Sequence, residues 1–225
     1  MHKIRIGSVG LGRLGLQHAE NIVARIQNAE LTCLCDIDQK KLDETADRLA
    51  VQQRFTSFEE MIATADLDAV VLVSPSGLHT RQIAVALAAG KHVFSEKPLG
   101  ITVAECKVAE KAVEAYPDKV FMLGFMRRFD ESYRYAWRKV MDGEIGKPIL
   151  FRSNSQDPEK FIDGAIAFAA HSGGQFLDMA VHDIDLARWF TGSEPETVSD
   201  ANVVRIFSSG LRLPMSTRFR NSWIA

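Results

Sequence analysis

The stretch IRIGSVGLGRLG, residues 4–15, decides the fold of this 225-residue chain. Its first six residues are a short apolar run with β-branched side chains, which is typical of a buried strand. The next six have the pattern G-x-G-x-x-G, and apolar residues then recur at helical spacing over 13–28. A strand, a glycine-rich loop and a helix in this order predict the phosphate-binding turn of a dinucleotide-binding domain.

The three glycines of this loop have different expected tasks. Gly10 allows the tight turn, Gly12 lets the backbone approach a pyrophosphate, and Gly15 lets the helix pack closely on the strand. Free amide groups and the positive end of the helix dipole then face the phosphate charge. We expect the whole loop to bind the cofactor, with Arg13 and Leu14 included, although a solvated Arg13 is an equal alternative.

An acidic residue stands where the ribose of such a cofactor is expected. Asp36 lies 21 residues beyond Gly15, directly after a second predicted strand over 31–35. A carboxylate there accepts hydrogen bonds from the adenosine ribose hydroxyls and repels a 2′-phosphate, so NAD is favoured over NADP. The alternative is a glycine-rich turn followed by an unrelated surface aspartate.

Strands and helices alternate with short links up to residue 124. This alternation predicts βαβ units, and therefore an α/β fold whose doubly wound parallel sheet is covered on both faces. Asp38 is the expected N-cap of the second helix, Ser57 with Glu60 and Thr102 with Glu105 have the capping-box spacing, and Gly90 is the expected residue after a helix end. The predicted strands are 4–9, 31–35, 69–73, 92–95 and 120–123, with a brief segment at Phe55, and the predicted helices are 13–28, 39–50, 78–89 and 102–115.

The pattern changes after residue 124, so we predict two domains, 1–124 and 125–225. The second reads as α+β, with helices over 130–141 and 175–190 and strands over 149–155 and 198–207. Residues after about 207 do not continue this pattern and resemble a truncated, alternatively spliced or frameshifted end. We therefore expect the second domain to be incomplete.

Composition narrows the classes of partner. The formal net charge is −2, which argues against a nucleic-acid or membrane surface as the main partner. No apolar run is long enough for a bilayer, and the N-terminus lacks a signal peptide pattern. Three cysteines without a disulfide pattern indicate the cytoplasm. Cys33 and Cys35 read as small buried side chains rather than zinc ligands, and we expect no metal.

A lysine follows the fifth predicted strand in the sequence SEKP, residues 95–98. Ligands bind beyond the carboxyl ends of the strands in an open parallel sheet, which places Lys97 near the cofactor. An ammonium group beside a reacting hydroxyl stabilises alkoxide charge and can relay a proton. Pro98 could fix the backbone through a cis bond. A surface lysine that begins a loop is the alternative.

The stretch GGQFLDMAVHDIDLARWF, residues 173–190, has polar residues on an otherwise apolar helix. The spacing of Asp178, His182 and Asp185 predicts that all three share nearly one face. A histidine can take the hydroxyl proton during alcohol oxidation, and a neighbouring carboxylate would orient it. A solvent-facing structural stripe and a divalent metal site are the alternatives.

Four segments together resemble the Gfo/Idh/MocA family of NAD(P)-dependent oxidoreductases, in particular its inositol-oxidising members. They are 10–15, the EKP element 96–98, GFMRRFD over 124–130, and 173–190. The resemblance covers about residues 3–205. It implies a catalytic trio of Lys97, Asp178 and His182, with His182 as the base.

The resemblance also implies further site residues and a reaction. Arg127, Asp157 and Asp185 would bind substrate hydroxyls. Ser74, Pro75, His79 and Glu96 would line the cofactor beside Lys97. The implied activity is NAD-dependent oxidation of a small polyol, with myo- or scyllo-inositol preferred and glucose-type sugars or dihydrodiols as alternatives. The resemblance further implies that full-length members form homo-oligomers, and the oligomeric state of this chain stays open. Two other readings stay open, namely a non-catalytic NAD-binding fragment or regulatory module and a member with another redox outcome.

Overall fold

The computed structural model describes residues 3–156, 158, 160, 164, 166, 173–174 and 176–197. Its first part is a six-stranded parallel sheet in the order β3-β2-β1-β4-β5-β6. This is the doubly wound order: successive strands are added on one side of β1 up to β3 and then on its other side from β4 onward. The predicted α/β class and parallel sheet are confirmed. The strands are β1 (Ile4–Val9), β2 (Ala29–Cys35), β3 (Gln53–Phe55), β4 (Ala69–Leu72), β5 (His92–Glu96) and β6 (Phe121–Gly124).

Five helices connect these strands. Asp38 caps α2 by accepting from the amide of Lys41, and Thr102 and Glu105 form a complete capping box at the start of α5. Each satisfies amide groups that have no partner inside the helix. These helices are α1 (Arg13–Arg25), α2 (Gln39–Leu49), α3 (Phe58–Thr64), α4 (Ser76–Ala88) and α5 (Val103–Ala115).

The sheet has one apolar cluster on each face. Leu34 and Leu42 are fully buried in the cluster that α1 and α2 cover, and Leu72 and Met61 in the cluster that α3, α4 and α5 cover. Burial on both faces explains why the central strands read as continuous apolar runs. The part of the chain that the structure describes holds no helix able to cross a membrane.

The second region is less regular. A 3₁₀ turn (Met126–Phe129) leads into α6 (Glu131–Met141), which Asp130 caps. A π-helical turn (Phe176–Ala180) then continues directly as α7 (Val181–Thr191). The rings of Trp137 and Trp189 stack at 5.2 Å, which fastens α6 to α7.

Two expectations for the second region need correction. Residues 149–155 form neither helix nor strand, and Ile149 and Leu150 are 97% and 78% exposed. Partial alternation predicts a strand, but a strand also needs a hydrogen-bonded neighbour, which this segment does not have among the described residues. The helix predicted over 175–190 begins instead with the π turn. The predicted strand 198–207 lies outside the described residues.

Candidate active site

The candidate site lies at the carboxyl edge of the sheet. The glycine loop follows β1, Asp36 follows β2, Ser74 follows β4, Lys97 follows β5, and the turn that carries Arg127 follows β6. All strands are parallel, so these segments meet along one edge. Doubly wound sheets bind their ligands at this edge, next to the switch between β1 and β4.

The glycine loop leaves room for a phosphate group. Gly10 has a φ of +84°, and a Cβ there would lie 2.6 Å from the carbonyl oxygen of Val73. A Cβ on Gly15 would lie 1.8 Å from the Gly10 carbonyl oxygen. A Cβ on Gly12 would meet nothing within 4 Å. A glycine is therefore needed at positions 10 and 15 for packing inside the protein, whereas Gly12 faces open space at the start of α1.

Asp36 ties this loop to the end of β2. Its carboxylate accepts from the amide of Leu11 at 2.6 Å and from that of Asp38 at 2.9 Å, and Nζ of Lys41 lies 3.7 Å away. A carboxylate offers about four acceptor positions, so two backbone amides leave capacity for sugar hydroxyls. The arrangement is compatible with the predicted ribose contact.

His79 joins two loops of the same edge. It is 1% exposed, with Nε2 2.8 Å from the carbonyl oxygen of Ser74 and Nδ1 2.8 Å from that of Pro98. A direct contact of His79 with a cofactor stays a prediction. Its observed contacts hold the loop that carries Ser74 and Pro75 against the segment after Lys97, and the expected cis bond between Lys97 and Pro98 is present.

Lys97 and Asp178 meet across the two regions. Nζ of Lys97 lies 2.6 Å from Oδ1 of Asp178 and 2.6 Å from its carbonyl oxygen. The side chains are 16% and 31% exposed, so the pair is shielded from solvent but can be reached from it. The pair brings together two residues that are 81 positions apart in the sequence.

Asp178 lies within the π turn that runs directly into α7. A π-helical turn holds more residues than the 3.6 of an α-helical turn, but a four-residue spacing still completes nearly one full turn in either. The predicted common face of Asp178, His182 and Asp185 stays a prediction; Asp178 pairs with Lys97 and Asp185 with Arg128. The turn also changes which amide the Asp178 carbonyl meets, and Lys97 donates to that oxygen.

His182 lies beside this pair. Burial lowers the pKa of His182, and the cations of Lys97 and Arg127 lower it further. The ring of Phe125 packs against it edge-on, with centroids 6.2 Å apart. Its Nδ1 is buried and has no hydrogen-bond partner among the described residues, so Asp178 does not orient the ring through this nitrogen, and the orientation of His182 by Asp178 stays a prediction. The imidazole is thus neutral at physiological pH.

Arg127 has a partner that the sequence interpretation missed. Its Nη1 donates to Asp183 at 2.6 Å and its Nη2 to the hydroxyl of Ser155 at 2.9 Å. Ser153 and Ser155 also donate to Asp183. Burial alone would raise the pKa of Asp183, but these hydrogen bonds outweigh burial and lower it. Asp183 therefore stays ionised and holds Arg127 beside His182.

Asp185 has a different neighbour from the one expected. It is 4% exposed, and both of its carboxylate oxygens accept from Arg128, at 2.8 and 2.7 Å. Arg128 also lies over the ring of Trp189 at 5.7 Å. A contact of Asp185 with substrate stays a prediction, because its observed bonds fasten the 126–129 turn to α7. Asp157, the other predicted substrate ligand, lies outside the described residues.

The sequence offered little to distinguish Asp183 from Asp185. Both follow His182 on one helix, and the choice between them depends on which arginine of the 126–129 turn reaches which carboxylate. Among the residues that the structure describes, no three His, Cys, Asp or Glu side chains group in a way that could hold a metal ion.

Two family models match the chain. An oxidoreductase family model with an NAD-binding Rossmann fold, the Gfo/Idh/MocA model, matches residues 4–125. A Gfo/Idh/MocA C-terminal domain model matches residues 133–209. Together they cover both regions described above.

Individual relatives agree with these matches. A scyllo-inositol 2-dehydrogenase (NAD(+)) from Bacillus subtilis is 37% identical over 88% of this chain and 57% of its own length. A myo-inositol 2-dehydrogenase from Thermotoga maritima is 36% identical over 89% of this chain and 59% of its own. This chain therefore spans less than two thirds of the length of these relatives.

A solved structure has the same fold. The scyllo-inositol dehydrogenase from Lactobacillus casei with bound NAD(H) and scyllo-inositol superposes with a TM-score of 0.81 at 49% identity, over 84% of this chain and 56% of that one. The sheet order, the glycine loop and the two family models lead to one conclusion: the chain belongs to the Gfo/Idh/MocA oxidoreductase family.

Proposed function

We propose that this protein binds NAD and oxidises a ring hydroxyl of a small polyol, with myo- or scyllo-inositol as the preferred substrate. The observation that carries the proposal is the meeting of Lys97, Asp178 and a neutral His182 at the sheet edge that also holds the glycine loop. Relatives named as inositol dehydrogenases, one of them solved with NAD(H) and scyllo-inositol, support the choice of substrate.

The chain's own residues suit NAD. The open space at Gly12, with the amide groups that start α1, suits a pyrophosphate, and Asp36 retains acceptor capacity for ribose hydroxyls. Ser74, Pro75 and Glu96 follow β4 or end β5, near the position proposed for the nicotinamide half. Bound NAD would supply the hydride acceptor.

Lys97 and His182 divide the work on the hydroxyl. The Lys97 ammonium stabilises negative charge on the reacting oxygen, and Asp178 fixes the direction of that ammonium. His182 takes the hydroxyl proton at Nε2, because Nδ1 is buried. The lowered pKa keeps the imidazole neutral and ready to accept this proton.

The remaining polar groups suit a polyhydroxylated ring. Arg127, held by Asp183 and Ser155, would donate to a second hydroxyl of the substrate. An analogue without that hydroxyl leaves one donor of Arg127 without its substrate partner, which disfavours the analogue. We assign Asp185 an indirect role through Arg128, and Asp157 keeps its proposed substrate contact. Free cysteines favour the cytoplasm as the compartment.

The test compares Lys97→Gln with the wild-type protein. Purified protein is mixed with NAD and either scyllo-inositol, myo-inositol or glucose, and absorbance of reduced nicotinamide is followed. We expect turnover with the inositols and a loss of about 10²- to 10³-fold in kcat for Lys97→Gln, the range for one group that stabilises charge on a reacting oxygen. Lys107→Gln, on the exposed side of α5, is the matched control and should retain wild-type turnover.

Calorimetry with NAD separates the alternatives. Wild-type protein that binds NAD but turns over none of these polyols would support the non-catalytic module instead. A folded protein that binds neither NAD nor NADP would overturn the proposal altogether.

A further inference from the structure

We propose that His18 is a positioning residue for Lys97, acting through the carboxylate of Glu96. This inference rests on the proposed function, because it assigns His18 a part in placing the ammonium that acts on the substrate hydroxyl. His18 lies on α1, the helix whose start faces the proposed phosphate site. The inference thus links the cofactor loop to the catalytic lysine.

The contacts form a short chain from α1 to Lys97. Nε2 of His18 lies 2.8 Å from Oε1 of Glu96, and the backbone amide of Lys97 donates to Oε2 of the same carboxylate at 3.3 Å. The two oxygens of Glu96 therefore meet one partner from α1 and one from the lysine's own backbone. Two contacts fix both the position and the rotation of the carboxylate.

Glu96 sits in a confined place. The Glu96 side chain is 10% exposed. A Cβ on Gly124 would lie 3.1 Å from the carboxyl carbon of Glu96 and 2.9 Å from Cζ of Phe94. The glycine at the end of β6 therefore leaves space that Glu96 and Phe94 use. A carboxylate so enclosed is costly unless it is hydrogen-bonded, and His18 supplies such a bond.

The imidazole of His18 is itself held in place. Its ring lies 5.4 Å from that of Phe94 at an interplanar angle of 59°, and its side chain is 28% exposed. The ring therefore has two restraints, namely the contact with Phe94 and the bond of Nε2 to Glu96.

Loss of this bond should act on Lys97. Without His18, the Glu96 carboxylate is free to rotate away from the Lys97 amide, and the backbone that carries the ammonium loses one restraint. The ammonium must stay within hydrogen-bond reach of Asp178 and of the substrate oxygen, so a small displacement lowers kcat strongly. Cofactor binding at the start of α1 does not need this restraint.

Two substitutions separate hydrogen bonding from packing. His18→Leu keeps an apolar side chain against Phe94 but has no donor, whereas His18→Gln keeps an amide that can donate to Glu96. We expect His18→Leu to lower kcat by about 10- to 100-fold, as a displacement near 1 Å does, while the Kd for NAD changes much less. His18→Gln should restore most of this loss. His92→Gln, at the amino end of β5, is the matched control and should leave kcat unchanged.

A second readout does not need turnover. In ¹⁵N-labelled protein without cofactor, Nε2 of His18 should carry a proton, and the backbone amide of Lys97 should exchange slowly with solvent. His18→Leu should shift the Lys97 amide resonance and speed its exchange, and His18→Gln should return both toward wild type. If wild-type protein turns over no polyol, the proposed function fails while this readout still decides the positioning role.

Three results would contradict a positioning role of His18. A Lys97 amide that is unchanged in His18→Leu would overturn it. So would equal kcat values for His18→Leu and wild type, even if the variant melts at a lower temperature. Equal losses in the Leu and Gln variants would also overturn it, because the loss would then follow the imidazole and not the hydrogen bond.

Discussion

The nucleotide-binding region, 4–124, and the described residues of 126–197 differ in how they bury apolar side chains and in where their polar side chains find partners. In the first, each strand pairs with a neighbour from the same region, and residues such as Leu34 and Leu72 are fully buried between sheet and helices. In the second, the side chains of Ile149 and Leu150 are largely exposed to solvent, and Asp178 pairs with Lys97 of the first region. The core of the first region is thus self-contained, whereas Asp178 of the second region depends on a contact beyond it.

The largest expected difference between the regions concerns core truncation. Leu72→Ala should lower the free energy of unfolding by about 3–5 kcal/mol, because the cavity forms in a closely packed cluster. Leu150→Ala should change it by less than about 0.5 kcal/mol, because that side chain is 78% exposed. Urea unfolding followed by circular dichroism measures both. A comparable loss in the two variants would show that residue 150 is packed in solution.

A smaller effect distinguishes two glycines of one loop. Gly15→Ala should destabilise the protein by about 1–3 kcal/mol, because its Cβ would overlap the Gly10 carbonyl oxygen. Alanine otherwise favours a helix, so a loss here reports the overlap. Gly12→Ala meets no protein atom and should keep the unfolding free energy while weakening NAD binding by roughly tenfold, about 1.4 kcal/mol.

Thermal melts and calorimetry with NAD separate these two glycine variants. If Gly12→Ala bound NAD as tightly as wild type, the open space at residue 12 would not be the phosphate site. If Gly15→Ala were as stable as wild type, the overlap would be relieved by a movement of the loop.

The smallest expected effect is a shift along the pH axis. His182 must be neutral to accept a proton, and its pKa lies below its usual 6.5, first because of burial and then because of Lys97 and Arg127. The midpoint of the acid limb of kcat/KM should therefore lie below pH 6.5. Asp183 raises this pKa, so Asp183→Asn should move the acid limb to still lower pH. Asp118→Asn, beside Lys119, is the control and should not move it.

The same lowered pKa affects stability with a definite sign. Between the folded pKa and 6.5, the unfolded chain takes up a proton at His182 that the folded chain does not. The free energy of unfolding should therefore fall as the pH decreases through this window, and His182→Gln should reduce the fall.

For the kinetic prediction, an acid limb of kcat/KM that moves to higher pH in Asp183→Asn would contradict the assigned electrostatics.

Much of the first region could be predicted because local and tertiary signals coincide there. The predicted strand 4–9 and the helix from Gln39 match the observed bounds within a residue, since apolar runs, caps and glycines mark the same positions. The strand predicted over 149–155 was wrong because alternation says nothing about a partner strand. The roles predicted for the individual site residues remain proposals.

The order of residues along the chain was enough to determine a phosphate loop, an acid after β2 and a parallel α/β sheet, because each depends on short-range geometry. Only the folded arrangement decided that Asp178 faces Lys97, that Asp183 and Asp185 take different arginines, and that His18 reaches Glu96. Side chains so far apart in sequence meet only where strand ends and the following helices converge at one edge of the sheet, and no local pattern encodes those distances.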